Sequence, residues 1–115
     1  MSLVARHLEA NGIATAIVGS ARDIVEIAGV PRFVFVDYPL GNPMGQPGKG
    51  GEQASVLEAA LRLVETAGGP RTTQQLDLDW GSEDWRANFM HVGEDNAAEL
   101  AELGRQRREK QSRKK

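Results

Sequence analysis

The chain of 115 residues has no cysteine. That absence excludes disulfides, thiolate metal sites and any thiol nucleophile of its own. Aromatic residues are few, three Phe, two Trp and one Tyr, and Trp80 and Trp85 read as core plugs. Long apolar runs are missing as well. Nothing approaches the roughly 18 to 20 residues of a membrane span, and residues 1–7 lack the apolar stretch of a signal peptide. The expectation is a cytoplasmic protein with no membrane contact. His7 and His91, the two histidines, stand alone with no second ligand at helical or turn spacing, so neither a metal site nor a cofactor is expected.

Positive charge is scarce outside the end of the chain. The formal net charge is −2, but residues 105–115 hold seven of the fourteen bases and one acid, Glu109, leaving about −8 on the rest. An acidic body lacks the basic face of a nucleic-acid footprint. The terminal run reads as a solvated end, helical or disordered. Forty per cent hydrophobic content suffices for one modest core. The expected organisation is a single α/β domain over residues 1–94 and a charged tail over 95–115.

What is present alternates. Residues 2–11 read as a short helix with Val4, Ala5 and Leu8 on one side and Gly12 at its end. Residues 13–18 are apolar and partly β-branched, a strand stopped by Gly19-Ser20. Ser20 with Asp23 three residues on fits a capping box, predicting a helix from Ala21 that buries Ile24, Val25 and Ile27 and ends near Gly29. Pro31 prevents continuation, and residues 33–36 (Phe-Val-Phe-Val) form an apolar run suited to a strand covered on both faces. Such short connections allow only layered α/β packing with parallel neighbours.

Beyond the run, residues 46–51 read as a flexible link. Residues 52–67 carry Val56, Leu57, Ala60, Leu61, Val64 and Ala67 at helical spacing. Leu76, Leu78 and Trp80 alternate as in a half-exposed edge strand. Ser82 caps a predicted short helix over 82–90 with Trp85 and Phe89 turned inward, and residues from Asp95 predict a weakly amphipathic helix of two or three turns. The class expected is a three-layer α/β sandwich with a small, mostly parallel sheet, a Rossmann-like half, and a helical carboxyl-terminal tail.

The central strand breaks into the loop 37–45, rich in proline and glycine. Pro39 and Pro43 fix φ and restrict the residues before them, while Gly41 and Gly45 allow sharp turns or close backbone approach. Ligand sites of parallel sheets lie beyond the carboxyl ends of their strands, where this loop and the turn 19–22 converge. Candidate substrate- or partner-binding residues are therefore Ser20, Arg22, Asp37, Pro39, Gly41, Asn42, Pro43 and Gly45. Ser20 and Arg22 could serve an anion at a helix start, or Ser20 could simply cap. Lys49 lies in glycine-rich sequence, but Pro43 and Gly50 stand where a phosphate loop needs glycine and a hydroxyl. Asp37 would suit a phospho-acceptor, yet Gly19-Ser20 replaces the acids such a site needs after an earlier strand.

The residues Arg6-His7-Leu8-Glu9-Ala10-Asn11-Gly12, then Ser20-Ala21-Arg22-Asp23, and above all Phe33-Val34-Phe35-Val36-Asp37-Tyr38-Pro39-Leu40-Gly41-Asn42-Pro43 give the chain a family likeness. It resembles the carboxyl-terminal part of the selenoprotein B family of glycine, sarcosine, betaine and D-proline reductases over about residues 3–66. The segment 77–89 is similar to looser relatives. The resemblance implies an α/β reductase subunit in which a selenocysteine or cysteine, just ahead of the first helix, cleaves a carbon–nitrogen bond. No residue of this chain can take that role, so no catalytic residue is assigned. The implied partners are a small amine or amino-acid-like substrate, or a redox partner subunit, within a homo- or hetero-oligomer. The other reading is a noncatalytic ligand-binding or assembly subunit.

Overall fold

A computed structural model describes residues 1–87, 93 and 95–112. Two compact units divide the chain, Met1–Glu83 and Asp84–Lys115. The first is an α/β unit in the order α1 (Ser2–Ala10), β1 (Ile17–Gly19), α2 (Arg22–Ala28), β2 (Arg32–Val36), α3 (Gly50–Thr66) and β3 (Thr72–Leu76). Its three strands form one parallel sheet in the order β1-β2-β3. Ile17 pairs with Phe33, and Phe33 with Thr73.

β2 is central because its residues can be buried on both faces. Val34 and Val36 are fully buried and Phe33 nearly so. On one face Val34, Val36 and Tyr38, two residues apart, pack with Val56 and Leu63 of α3, and Ala59, Ala60, Leu76, Leu78 and Trp80 close around them. Each fully buried aliphatic chain contributes about 1.5–3 kcal/mol. On the other face Phe33 lies where a side chain at Gly19 would stand, 3.3 Å from its Cβ position, with Val25 of α2 beside it. Glu26 of α2 accepts from Thr73 Oγ1 at 3.0 Å, and Arg22 reaches Gln75 at 3.4 Å.

These contacts put α2 and α3 on opposite faces although both crossovers step the same way across the sheet. The two crossovers therefore have opposite hands, a departure from the near-uniform right-handed rule. In a Rossmann half, crossovers stepping one way share a face. The expectation is met as far as parallel strands with helices on both faces.

Several local expectations are corrected by packing. Residues 13–16 stay out of the sheet: the Ile13 amide bonds the Leu8 carbonyl at 3.0 Å, and Thr15 donates its N–H to Glu9 at 2.6 Å, so pairing starts at Ile17. Ser20 does not cap α2, whose N-cap is Ala21 with no side-chain bond. Ile24 and Ile27 are 66% and 86% exposed, because the seven-residue helix turns Val25 inward and leaves its other side outside. Val4 is exposed while Ala5 is buried. In α3 the inward face is Val56, Ala59, Ala60, Leu63 and Ala67, leaving Leu57 and Leu61 outside. Leu76, Leu78 and Trp80 do alternate toward the core, but strand pairing stops at Leu76.

At the amino edge of the sheet, Arg32 Nη1 bonds Glu9 Oε1 at 2.5 Å and the Thr15 carbonyl at 3.3 Å, tying α1 to the start of β2. Among the described residues the buried Arg32 Nε has no hydrogen-bond partner.

The second unit contains α4 (Asp84–Ala87) and α5 (Ala97–Ser112). The Arg86 guanidinium covers the Trp85 ring at 4.5 Å. α5 runs 16 residues, longer than the two or three turns expected, and Arg105 pairs with Glu102 at 2.8 Å and Glu109 at 3.9 Å. Such i,i+3 and i,i+4 pairs extend a helix with little apolar burial. Phe89 and His91 lie outside the described residues. Among the described residues no helix is long and apolar enough to cross a membrane.

Candidate functional site

The loop that leaves β2 is a chain of turns. A bond from the Tyr38 amide to the Val36 carbonyl, 2.9 Å, ends the strand and keeps Tyr38 on the Val34–Val36 face. Three i to i+3 bonds follow, Asn42 to Pro39 at 3.1 Å, Gly45 to Asn42 at 3.3 Å and Lys49 to Gln46 at 3.1 Å. The last turn has Pro47 at its second position and Gly48, φ +80°, at its third, the type II signature. Gly41, φ +100°, holds the same place in the first turn. Gly45 is needed for space as well, since a Cβ there would stand 3.2 Å from the Glu52 Cβ and 3.3 Å from the Gln53 amide nitrogen. The expected flexible link at 46–51 is thus a turn leading straight into α3, which begins at Gly50.

The turns are pinned from beneath. Glu52, in the first turn of α3, accepts the Tyr38 hydroxyl and the Gln46 amide through Oε2, each at 3.1 Å, and its Oε1 lies 3.4 Å from Lys49 Nζ. Tyr38 also reaches the Asp79 carbonyl at 3.3 Å, and its ring meets Trp80 edge-on at 5.1 Å. Gln46 donates from Nε2 to the Asp79 and Trp80 carbonyls at 3.2 and 2.9 Å. The Glu52 carboxylate thus joins the loop to α3, and Tyr38 and Gln46, which it holds, carry the connection on to the carbonyls after β3. Sequence reading missed Tyr38, Gln46 and Glu52. The signal was present in the two-residue spacing of Val34, Val36 and Tyr38, and in an acid three residues after Lys49.

The Gln46 amide, then Tyr38 and Lys49, hold the Glu52 carboxyl below the usual carboxylate range, while burial, followed by the Glu52 charge, pushes the Tyr38 hydroxyl upward. A carboxyl whose folded pKa is depressed stabilises above its unfolded value and loses that contribution as pH falls through the folded one. The Thr15 amide, Arg32 and the Thr15 hydroxyl hold Glu9 low in the same sense. Melting temperature is expected to fall as pH drops below about 4.5, with Glu52→Gln flattening part of that slope. An unchanged acid slope in the variant would separate Glu52 from the effect.

The proposed ligand residues occupy one edge of the sheet. Ser20, Asp37, Pro39, Asn42 and Pro43 are half-buried, Gly41 is exposed and Gly45 is buried. Leu40 and Met44 face solvent. Arg22 is committed elsewhere: it pairs with Glu26 at 3.0 Å, reaches Gln75 and sits 5.7 Å over the Phe35 ring. The structure thus brings 37–45 together as a preformed surface and does not direct the Arg22 guanidinium to it. Among the described residues no group of three or more His, Cys, Asp or Glu could hold a metal ion. No protein-family model, curated protein or solved structure matches the chain.

Proposed function

We propose that this chain is a subunit or part of a reductase related to the selenoprotein B family, without a redox nucleophile among its residues, and that it presents the loop 37–45 to an amine substrate or to the polypeptide carrying the thiol or selenol. The observation that supports this reading is the Pro39-Leu40-Gly41-Asn42-Pro43 turn, closed by the Asn42-to-Pro39 bond and flanked by the pinned Tyr38 and Gln46, at the carboxyl edge of a parallel sheet, where such sheets place ligands. A second reading, an assembly subunit, is favoured by the tip itself: Leu40 and Met44 are 53% and 38% exposed, apolar side chains suited to a protein surface.

The purified chain is expected to show no turnover of glycine, betaine, sarcosine or D-proline with a dithiol reductant, because reductive cleavage needs a thiolate or selenolate that these residues do not supply. Clear turnover would overturn the reading. Amide shifts during titration with betaine should move among residues 39–45. Movement at residues of β3 alone, or none at saturating betaine, would leave the assembly reading as the better one.

A further inference from the structure

The sheet has two outer edges, and they differ. β1 offers three residues and ends in Gly19, a short edge of the kind that resists further pairing. β3 offers five, Thr72-Thr73-Gln74-Gln75-Leu76, with no charge, proline or glycine among them. An edge without such guards is a template for another strand.

The outward backbone groups of β3 follow from its pairing. The Thr72 amide donates to the Pro31 carbonyl at 3.2 Å, so Thr72, Gln74 and Leu76 turn their backbone groups to β2. Thr73 and Gln75, alternating with them, carry the N–H and C=O of the open edge, and among the described residues nothing bonds those groups. Side chains alternate as well. Gln74 and Leu76 lie on the α3 face, Thr73 and Gln75 on the α2 face beside Glu26 and Arg22. Arg71 is on the α2 face too, its Nη2 2.9 Å from where a Cβ at Gly29, the C-cap of α2, would stand. Leu76 and Leu78 both pack into the α3 core, which turns Asp77 between them to the α2 face. Arg71 and Asp77 are exposed, and among the described residues neither has an ion pair.

We propose that β3 pairs with β3 of a second copy of this chain, antiparallel and centred on Gln74, so that two three-stranded sheets become one. With Gln74 opposite Gln74, Thr73 stands opposite Gln75 of the second copy, and each such pair exchanges both backbone bonds of an antiparallel ladder. The same register sets Arg71 opposite Asp77 of the second copy at each end. Both lie on one face, because a two-fold axis normal to the sheet keeps the two α2 helices on the same side. A shift by two residues either way removes Arg71 from Asp77 and leaves part of each strand unpaired. At the axis the Gln74 amides, each donor and acceptor, face one another. The depression of about 180 Å³ beside them has its wall charges, Glu58 and Arg62, already paired at 2.7 Å. The inference uses no residue of the loop 37–45 and does not rest on the reductase reading.

The test uses the whole chain. Its average mass in sedimentation equilibrium should rise from one chain toward two as concentration rises. Arg71→Asp and Asp77→Arg should each weaken the dimer roughly tenfold or more, since each sets like charges opposite at both ends. The double variant should restore the Kd to within about threefold. Both positions are exposed, and Asp tolerates the left-handed backbone at residue 71, φ +61°, so the fold of the single chain is kept. Because the chain has no cysteine, one placed at the axis reports the register. Gln74→Cys should cross-link to its counterpart with copper–phenanthroline, since directly opposed residues of a non-hydrogen-bonded pair have Cα atoms about 4.5 Å apart, within disulfide reach. Thr72→Cys, opposite Leu76 of the second copy, should not. A mass that stays at one chain at millimolar concentration, single swaps that leave the Kd unchanged or are not rescued by the double, or Thr72→Cys linking as fast as Gln74→Cys would each overturn the proposal. Dimerisation that moves the amides of residues 39–45 and not those of Thr73 and Gln75 would do the same while leaving the loop reading intact.

Discussion

Val36→Asp is expected to leave the first unit unfolded at room temperature. Val36 is fully buried and packs with Val34, Tyr38, Val56 and Leu63. A carboxylate there would face the apolar side of α3, and none of the described residues offers it a buried charged partner. The group would protonate or drag water inward. Loss of the valine contacts adds to a desolvation cost of several kcal/mol, together comparable to the roughly 5–15 kcal/mol of a whole domain, and a unit this small sits at the lower end. Phe33→Asp should act alike from the opposite face, where the ring fills the space over Gly19. Far-ultraviolet circular dichroism and a thermal melt decide it. A cooperative melt with either aspartate in place would remove β2 from the centre of the sheet.

The second large effect is expected at Tyr38. Replacing it by Ala should cost about 3–5 kcal/mol, since a buried aromatic leaves a cavity that the sheet and α3 cannot close. Tyr38→Phe keeps the ring against Trp80 and loses only the hydroxyl bonds to Glu52 and the Asp79 carbonyl, so about 1 kcal/mol is expected. The two variants separate packing from pinning. In Tyr38→Phe the core should persist while hydrogen exchange at the Asn42, Gly45 and Lys49 amides, the donors of the three turns, becomes faster. Equal losses of stability in the two variants would mean that the hydroxyl, not the ring, carries the contribution. Unchanged exchange in Tyr38→Phe would assign the pinning to Gln46 and Glu52 alone.

The same residues show where the sequence was legible. The apolar run 33–36 announced a strand covered on both faces. Its burial follows from composition alone, because four consecutive apolar residues in an extended chain must face both ways. The stops at Gly29 and Pro31 were equally plain, since a left-handed glycine and a missing N–H act locally. Pro39, Gly41, Pro43 and Gly45 identified a shaped loop for the same reason: φ restriction belongs to the residue itself.

Only tertiary structure decided the rest. Whether Leu57 or Leu63 faces inward depends on how α3 lies across the sheet, and both fit helical spacing. Ile24 and Ile27 were expected inside because they are apolar, but the short α2 turns Val25 toward Phe33 and the sheet and leaves both isoleucines on its outer side. Ser20 fits a capping pattern, yet the chain enters α2 at Ala21. Tyr38, Gln46 and Glu52 meet across fourteen residues of sequence, and Arg71 reaches Gly29 across more than forty. Such meetings are set by the order of strands in the sheet and by the faces on which the crossovers run. Short-range patterns determined the elements and the turns of this protein; the long-range packing of β2 between α2 and α3 determined which side chains those elements present to one another.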